Sequence, residues 1–418
     1  MTSRWFWLLR RLSRRIWVRA TLFSLAGVLT ALAAIVLSPY IPSDLPTKIG
    51  SDAVDNILSI IASSMLTVTT FSLSTMVSAY SAATSNVTPR ATRLVIEDTT
   101  THNVLSTFIG SFLFSLVGII ALSTGLYSDR GRVVLFAVTI LVIVAIVVTL
   151  LRWIDHLSSL GRVTQTTERV EAVALEAMRE RRRNPYLGGS PLHDPSVIPR
   201  SARPVFPDEV GYVQHVDVGA LAALADHGPS RIYLCSIPGD LVDPTTPIAM
   251  VKGLDVDEPE QHVRDAFTIG DIRSYDQDPR FGASVLTEIA SRALSPGIND
   301  PGTAIDVIGR AVRLLTVWGE PLDKEAEVAH PNVFVPPILI GDLFDDLFTP
   351  IARDGASTVE IGVRLQKAFR SLARYGRDGF AGNAQRHSRE ALERAEAALA
   401  IEADKRRLRA LADEVGER

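Results

Sequence analysis

Residues 133–151 read VVLFAVTILVIVAIVVTLL, an unbroken run without a charged side chain. A helix rises about 1.5 Å per residue, so the run reaches about 28 Å, close to the thickness of a hydrocarbon core. Outward from it, three more stretches are equally free of charge: Ala20 to Leu37, Asn56 to Thr84 and Asn103 to Ser128. Charges at bilayer depth are costly and rare, so uncharged stretches of this length mark spans. The sequence therefore predicts an α-helical polytopic membrane domain over residues 20–151, with four spans at about 20–38, 56–84, 103–127 and 133–151.

The arginines orient it. Arg4, Arg10, Arg11, Arg14, Arg15 and Arg19 precede the first span, whereas the loop that follows has Lys48 against Asp44, Asp52 and Asp55. Arg90 and Arg93 follow the second span, and Arg152, Arg162 and Arg169 follow the fourth. Basic residues stay on the cytoplasmic side, which predicts cytoplasmic N and C termini in a multi-pass protein of the inner (plasma) membrane. The first apolar stretch is longer than a signal peptide's and has no Ala-x-Ala site before a polar region, so it reads as a retained span. Residues 1–19, where Trp5, Phe6, Trp7 and Trp17 alternate with arginines, read as a basic, aromatic segment at the lipid headgroups.

The chain has 418 residues and a formal net charge of −4, which argues against a nucleic-acid partner. Cys235 is the single cysteine, so internal disulfides and thiolate metal clusters are excluded. After the spans, residues 152–183 continue in helical style as a cytoplasmic extension. Asn184-Pro185, Gly188-Gly189 and five prolines between Pro191 and Pro207 predict an irregular linker over 184–210. Residues 211–257 read as a small β-containing subdomain: a helix at Asp217 to Ala225, then strands at Arg231 to Ile237 and Pro247 to Val251 around the turn Pro238-Gly239-Asp240. Residues 258–418 read as helical, which makes the cytoplasmic part α+β. Asp278-Pro279 and Asp300-Pro301 each set an N-cap carboxylate before a proline at the first helical position. These open helices over Pro279 to Leu294 and Pro301 to Trp318, with further helices at Gly341 to Phe348, Ser357 to Tyr375 and Arg386 to Glu414.

Chemistry concentrates in two places. Along the second span Ser59, Ser63, Thr67, Thr70, Ser74, Ser78, Ser81 and Ser85 recur at steps of three and four, which makes one hydroxyl stripe on a helix. Such a stripe suits a wet path, with Ser63, Thr67, Thr70, Ser74, Ser78 and Ser81 as pore-lining residues and Arg90 at the cytoplasmic mouth. Small hydroxyl residues also serve close helix packing, and each can bond the carbonyl one turn back. The third span offers a packing partner in Thr107, Ser111 and Ser115, with Gly110 and Gly118 alongside. No carboxylate, histidine or base lies inside any span, which disfavours a proton-relay transporter. In the soluble part, Asp278, Arg280, Arg292, Asn299 and Asp300 crowd around Ser295-Pro296-Gly297 as a candidate ligand or gating turn. Helix capping and a buried arginine-carboxylate network are the plainer explanation. No phosphate loop, nucleophile elbow, His-Glu-x-x-His pair or kinase set is present, so no catalytic residue, metal site or cofactor is assigned.

The segment Asp278-Pro279-Arg280-Phe281-Gly282, followed by Ile289-Ala290-Ser291-Arg292-Ala293-Leu294-Ser295-Pro296-Gly297-Ile298-Asn299-Asp300-Pro301-Gly302-Thr303-Ala304, resembles the signature of the bacterial predicted membrane proteins grouped as DUF2254. Ser64-Met65, Phe71-Ser72 and Ser85-Asn86-Val87-Thr88-Pro89-Arg90 fit as well, with Asn86 where the family usually has glutamine. The resemblance implies four spans and a cytoplasmic domain and assigns no activity. The residues themselves predict a homo-oligomeric inner-membrane ion channel or pore, gated by its cytoplasmic domain, with the bilayer and an inorganic ion as partners. The alternative is a non-conducting membrane scaffold or sensor whose cytoplasmic domain binds a partner; an enzyme ranks last.

Overall fold

The computed structural model describes residues 16–37, 51–96, 98–125, 129–159, 162–225, 230–254, 259–321, 327–375 and 379–416. The expected headgroup segment lies outside them up to residue 15. The chain divides into two compact units, one ending at Thr166 and the other running from Thr167 to Arg418.

Among its described residues the first unit is built of helices and the turns between them. It contains α1 (Ile16–Leu37), α2 (Ser51–Asn86), a short α3 (Pro89–Ile96), α4 (Thr99–Ser123) and α5 (Asp129–Ser159). Three stretches among the described residues are long and apolar enough to cross a membrane: Ala53–Ala82, Thr99–Ser123 and Gly131–Leu157. The apolar stretch of α1, Ala20–Ala33, is shorter. Helix α4 sits at the centre of the bundle. A Cβ added to Gly27 of α1 would stand 2.7 Å from the carbonyl oxygen of Gly110 on α4, so these backbones touch and only glycine fits. Gly118 lies just as close to Leu58 of α2, where a Cβ would be 3.0 Å away. On α2 the buried positions are Val54, Leu58, Ile61, Met65, Ser72 and Met76, one stripe at helical spacing.

The second unit begins in α6 (Val163–Arg183) and folds as two small sheets and a helical array. Its strands are β1 (Gly189–Pro191), β2 (Arg203–Val205), β3 (Gly211–Val216), β4 (Arg231–Leu234), β5 (Leu241–Val242), β6 (Ala249–Lys252), β7 (Phe267–Gly270) and β8 (His330–Val335). The five-stranded sheet has the order β1-β8-β4-β6-β2, and β5-β3-β7 form a three-stranded sheet. Helices α7 (Val218–Ala225) and α8 (Pro259–Asp265) join them, with Leu221, Ile232, Val251, Val263 and Val333 in their shared core. Then come α9 (Pro279–Ala293), α10 (Pro301–Gly319), α11 (Ile340–Asp354), α12 (Val359–Tyr375), α13 (Phe380–Ala398) and α14 (Glu402–Gly416).

Three expectations are corrected. The proline-rich stretch 184–210 is no irregular linker, because β1 pairs with β8 and β2 with β6, so both are built into the five-stranded sheet. The β-structure likewise does not end at residue 257, since β7 and β8 complete the two sheets. The last helix is two: the chain turns at Leu399 and doubles back, burying Leu408 against Gly362 of α12, where a Cβ would meet Leu408 Cδ1 at 2.8 Å. No proline or glycine marks that turn; packing of Leu408 makes it. Within the expected extension over 152–183, α5 is described to Ser159 and α6 from Val163, and residues 160 and 161 lie outside the described residues.

Candidate functional site

The hydroxyl stripe of α2 faces away from its own bundle. Ser63, Thr67, Thr70, Ser74, Ser78 and Ser81 are all exposed, while Leu58, Ile61, Met65, Ser72 and Met76 face inward. Helical geometry makes the opposition nearly complete, because Ser63 and Ser81 lie nine residues from Ser72, about two and a half turns. Apolar side chains flank the stripe on both sides, Leu66, Leu73 and Val77 on one and Ile60 and Phe71 on the other, and all five are exposed. The outward face of α5 differs, since Ile140, Leu141, Val144, Val147, Val148 and Leu151 are purely aliphatic. Four stripe hydroxyls bond the carbonyl one turn back: Ser63 to Ser59 at 3.0 Å, Thr67 to Ser63 at 3.0 Å, Thr70 to Leu66 at 3.0 Å and Ser74 to Thr70 at 3.0 Å. Each donates its one O–H there and keeps both acceptor lone pairs for water or an ion. Arg90 is exposed at the start of α3, where its N–H bonds the Thr88 hydroxyl at 3.3 Å.

The five signature residues of the second unit are not brought together. Asp278 and Arg280 stand at the first turn of α9, and Arg292, Asn299 and Asp300 at its other end, about 20 Å along the helix. The far end is an exposed turn: Asn299 takes a left-handed φ of 51°, and Asp300 caps α10 by accepting from Thr303 N at 3.1 Å. Hydrogen bonds from the Thr303 hydroxyl and backbone hold the Asp300 carboxyl below the usual carboxylate range. Arg292 is half-buried in the last turn of α9, and its carbonyl accepts the Ser295 hydroxyl at 2.6 Å.

The near end is a buried electrostatic joint. Asp278, 2% exposed, caps α9 through Arg280 N and Phe281 N, both at 3.1 Å, and accepts a two-pronged bond from Arg273 at 2.7 and 3.0 Å. Gly239, at φ 106°, presses its backbone on that carboxylate, where a Cβ would stand 2.5 Å from Asp278 Oδ2. Next to it Asp240 accepts from Ile237 N at 2.9 Å. Arg181 of α6 reaches in from behind, 3% exposed, and donates to the Gln277 carbonyl at 3.0 Å, while its Nε and Nη1 find no partner. Burial dominates here. It pulls the Arg181 pKa down to about 10, and it pushes the Asp240 and Asp278 carboxyls above the usual range although arginines pull the other way. For Arg280 burial is outweighed by Asp346 at 2.7 Å and Asp342 at 2.8 Å, which leave its pKa raised. The joint ties α6, the Gly239 turn and α9 together.

A second anchor holds α6 further up, where Glu171 accepts from both Arg310 and Arg313 of α10, the latter at 2.6 and 3.1 Å. The second unit also has a cleft of about 640 Å³ between α9, α11 and α13. Pro350 inside α11 cannot donate to the Asp346 carbonyl, and the Thr287 hydroxyl of α9 takes that acceptor at 2.8 Å. Among the described residues no group of three or more His, Cys, Asp or Glu is placed to hold a metal ion. Sequence reasoning missed Arg181, Asp240 and Arg273, which lie far from Asp278 in sequence or outside any motif. It also missed the α3 start, although Thr88-Pro89 repeats the cap-proline phrase read at Asp278 and Asp300.

Comparison with known proteins agrees with the membrane character. A family model described as a predicted membrane protein, DUF2254, matches residues 13–371. An uncharacterized protein of Mycobacterium tuberculosis is 28% identical over 266 residues, which cover 60% of this chain and 50% of that protein. An uncharacterized protein of Mycobacterium bovis matches with the same identity and coverage. The chain thus spans about half the length of the curated relatives it matches. No solved structure matches.

Proposed function

The chain belongs to the DUF2254 family of predicted membrane proteins, and on that premise we propose that it is a homo-oligomeric ion channel or pore of the inner membrane. Four spans cross the bilayer with both termini cytoplasmic, α1 counting as the first. The α2 stripe of Ser63, Thr67, Thr70, Ser74, Ser78 and Ser81 lines the path, and Arg90 stands at its cytoplasmic mouth. One observation carries the reading: the hydroxyl face lies opposite the packing face of α2, between two apolar flanks, on a unit whose α5 perimeter is aliphatic. A ring of copies uses such a helix economically, with flanks against neighbours and hydroxyls replacing an ion's hydration. A single protomer encloses no path, so the reading requires several copies. Gating falls to the soluble unit through α6, because Glu171 and Arg181 fasten that helix to α9 and α10, and α6 follows α5 after three residues.

A second reading, a non-conducting scaffold or sensor, has its own support, since the back-bonded hydroxyls need no water. Conductance in planar bilayers separates the two. Thr70→Trp should abolish single-channel current while leaving oligomer size unchanged, and a protein silent at every voltage and salt would remove the channel reading.

A further inference from the structure

The inward side of α2 contains one polar contact that the pore reading does not use. The Trp153 indole N–H of α5 donates to the Ser72 hydroxyl at 2.9 Å. Trp153 is 2% exposed and Ser72 is 0% exposed. An indole N–H can only donate, and in an apolar bundle an unmet donor is costly because no water replaces the lost partner. Ser72 is the one fully buried hydroxyl on α2 among the described residues. Its neighbours on that face, Leu58, Ile61, Met65 and Met76, are hydrocarbon or thioether, and Met adapts to almost any neighbour. Dispersion contacts of that kind resist rotation of α2 weakly, whereas a buried hydrogen bond accepts a single setting.

Trp153 is itself held. Its ring stacks on His156, with centroids 5.8 Å apart at 29°, and His156 Nε2 stands 2.7 Å from Asp98 Oδ2. Asp98 caps α4, accepting from Thr101 N at 3.0 Å and from the Thr101 hydroxyl at 2.6 Å. A polar chain therefore runs from the start of α4 through α5 to the middle of α2. With Ser72 pinned inward, Ser63 and Ser81 point the opposite way, and Thr70 and Ser74 lie about 20° from that direction.

We propose that Trp153 is a positioning residue that fixes the rotation of α2, and so decides which face of that helix looks outward. The inference rests on the pore reading only for what the outward face is used for. Half-buried Thr69 and Thr75 sit about 60° to either side of Ser72 and provide the alternative acceptors into which the helix would turn.

The test uses the full chain in liposomes with Cys235→Ala and single spin labels from Leu66 to Ser78, omitting Ser72. Collision rates with oxygen and with a water-soluble nickel complex report each site. In the parent, accessibility should peak in phase with Thr67, Thr70, Ser74 and Ser78. Trp153→Phe keeps the ring and loses the donor, and should flatten the periodicity at least two-fold. Ser72→Ala, the smaller change should the first variant fold poorly, should rotate the phase by about 60° towards Thr69 or Thr75. Unchanged phase and amplitude in both variants would overturn the proposal. Oxygen-rich, nickel-poor collisions at Thr70 and Ser74 would refute the pore reading while the phase comparison still decides the role of Trp153.

Discussion

Helices α2 and α4 carry the same chemical pattern, hydroxyls stepping every three or four residues, and the structure gives the two patterns opposite surroundings. On α4, Ser111 and Ser115 are buried and Thr107 is half-buried, next to glycines that let α1 and α2 come close. On α2 the stripe is turned out, and packing belongs to the opposite face. Hydroxyl periodicity therefore identifies a helix face but not its neighbour. The neighbour is decided by which helix holds the centre, and glycine placement on α4 makes that choice.

The comparison breaks first at the glycines. Gly110→Leu forces a side chain where even a Cβ stands 3.0 Å from the Phe23 carbonyl, so α1 and α4 must separate. The expected loss is about 3 kcal/mol, at the upper end for overpacking, read as a lower thermal midpoint in detergent. Ser74→Leu adds comparable bulk on exposed α2 and should leave that midpoint in place. Equal losses would mean that both stripes are sealed. Ser72→Ala comes next: it takes the acceptor from the Trp153 donor, and turning α2 to a new acceptor gives up part of the present packing, so it should cost about 1 kcal/mol in the same assay. Ser115→Ala should go the other way. The Ser115 hydroxyl is buried with no hydrogen-bond partner, so its removal should be neutral or stabilising by about 1 kcal/mol.

Much of this was legible beforehand, for stated reasons. Long uncharged runs and cap-proline pairs are local signals, so α2, α4, α9 and α10 start and end within a few residues of their expected bounds, while α5 runs on past residue 151 to Ser159. Pairing across the chain is not local. Nothing in Gly189–Pro191 announces a strand, because β1 exists only where β8 lies beside it. Burial of one charged cluster is equally invisible, since Arg181 and Asp278 meet 97 residues apart in the sequence through Gln277 and the Gly239 turn. The outward direction of the α2 hydroxyls was left open by spacing alone, as either face of a helix satisfies the same period.

The two Asp-Pro phrases repeat the lesson in the second unit and yield the smallest effect. Asp278 and Asp300 start helices in the same way, yet one lies under arginines and the Gly239 backbone while the other stands in an exposed turn. Asp300→Ala should cost about 1 kcal/mol, the usual value of an N-cap side chain, seen as a small shift in the unfolding midpoint of the second unit. Its pH dependence carries the sign. The folded Asp300 carboxyl is held below its ordinary value by Thr303, so its contribution is complete above the ordinary aspartate pKa. As pH falls from there through the depressed folded value, the unfolded chain takes up the proton first and the contribution drains away. Asp278 runs in the opposite direction, because burial raises its pKa and the folded state takes up the proton first. The difference in unfolding free energy between the parent and Asp300→Ala should therefore shrink steadily on acidification below the ordinary aspartate range. A difference that grows instead would mean that Asp300 is buried as Asp278 is, and the two caps would no longer be distinct.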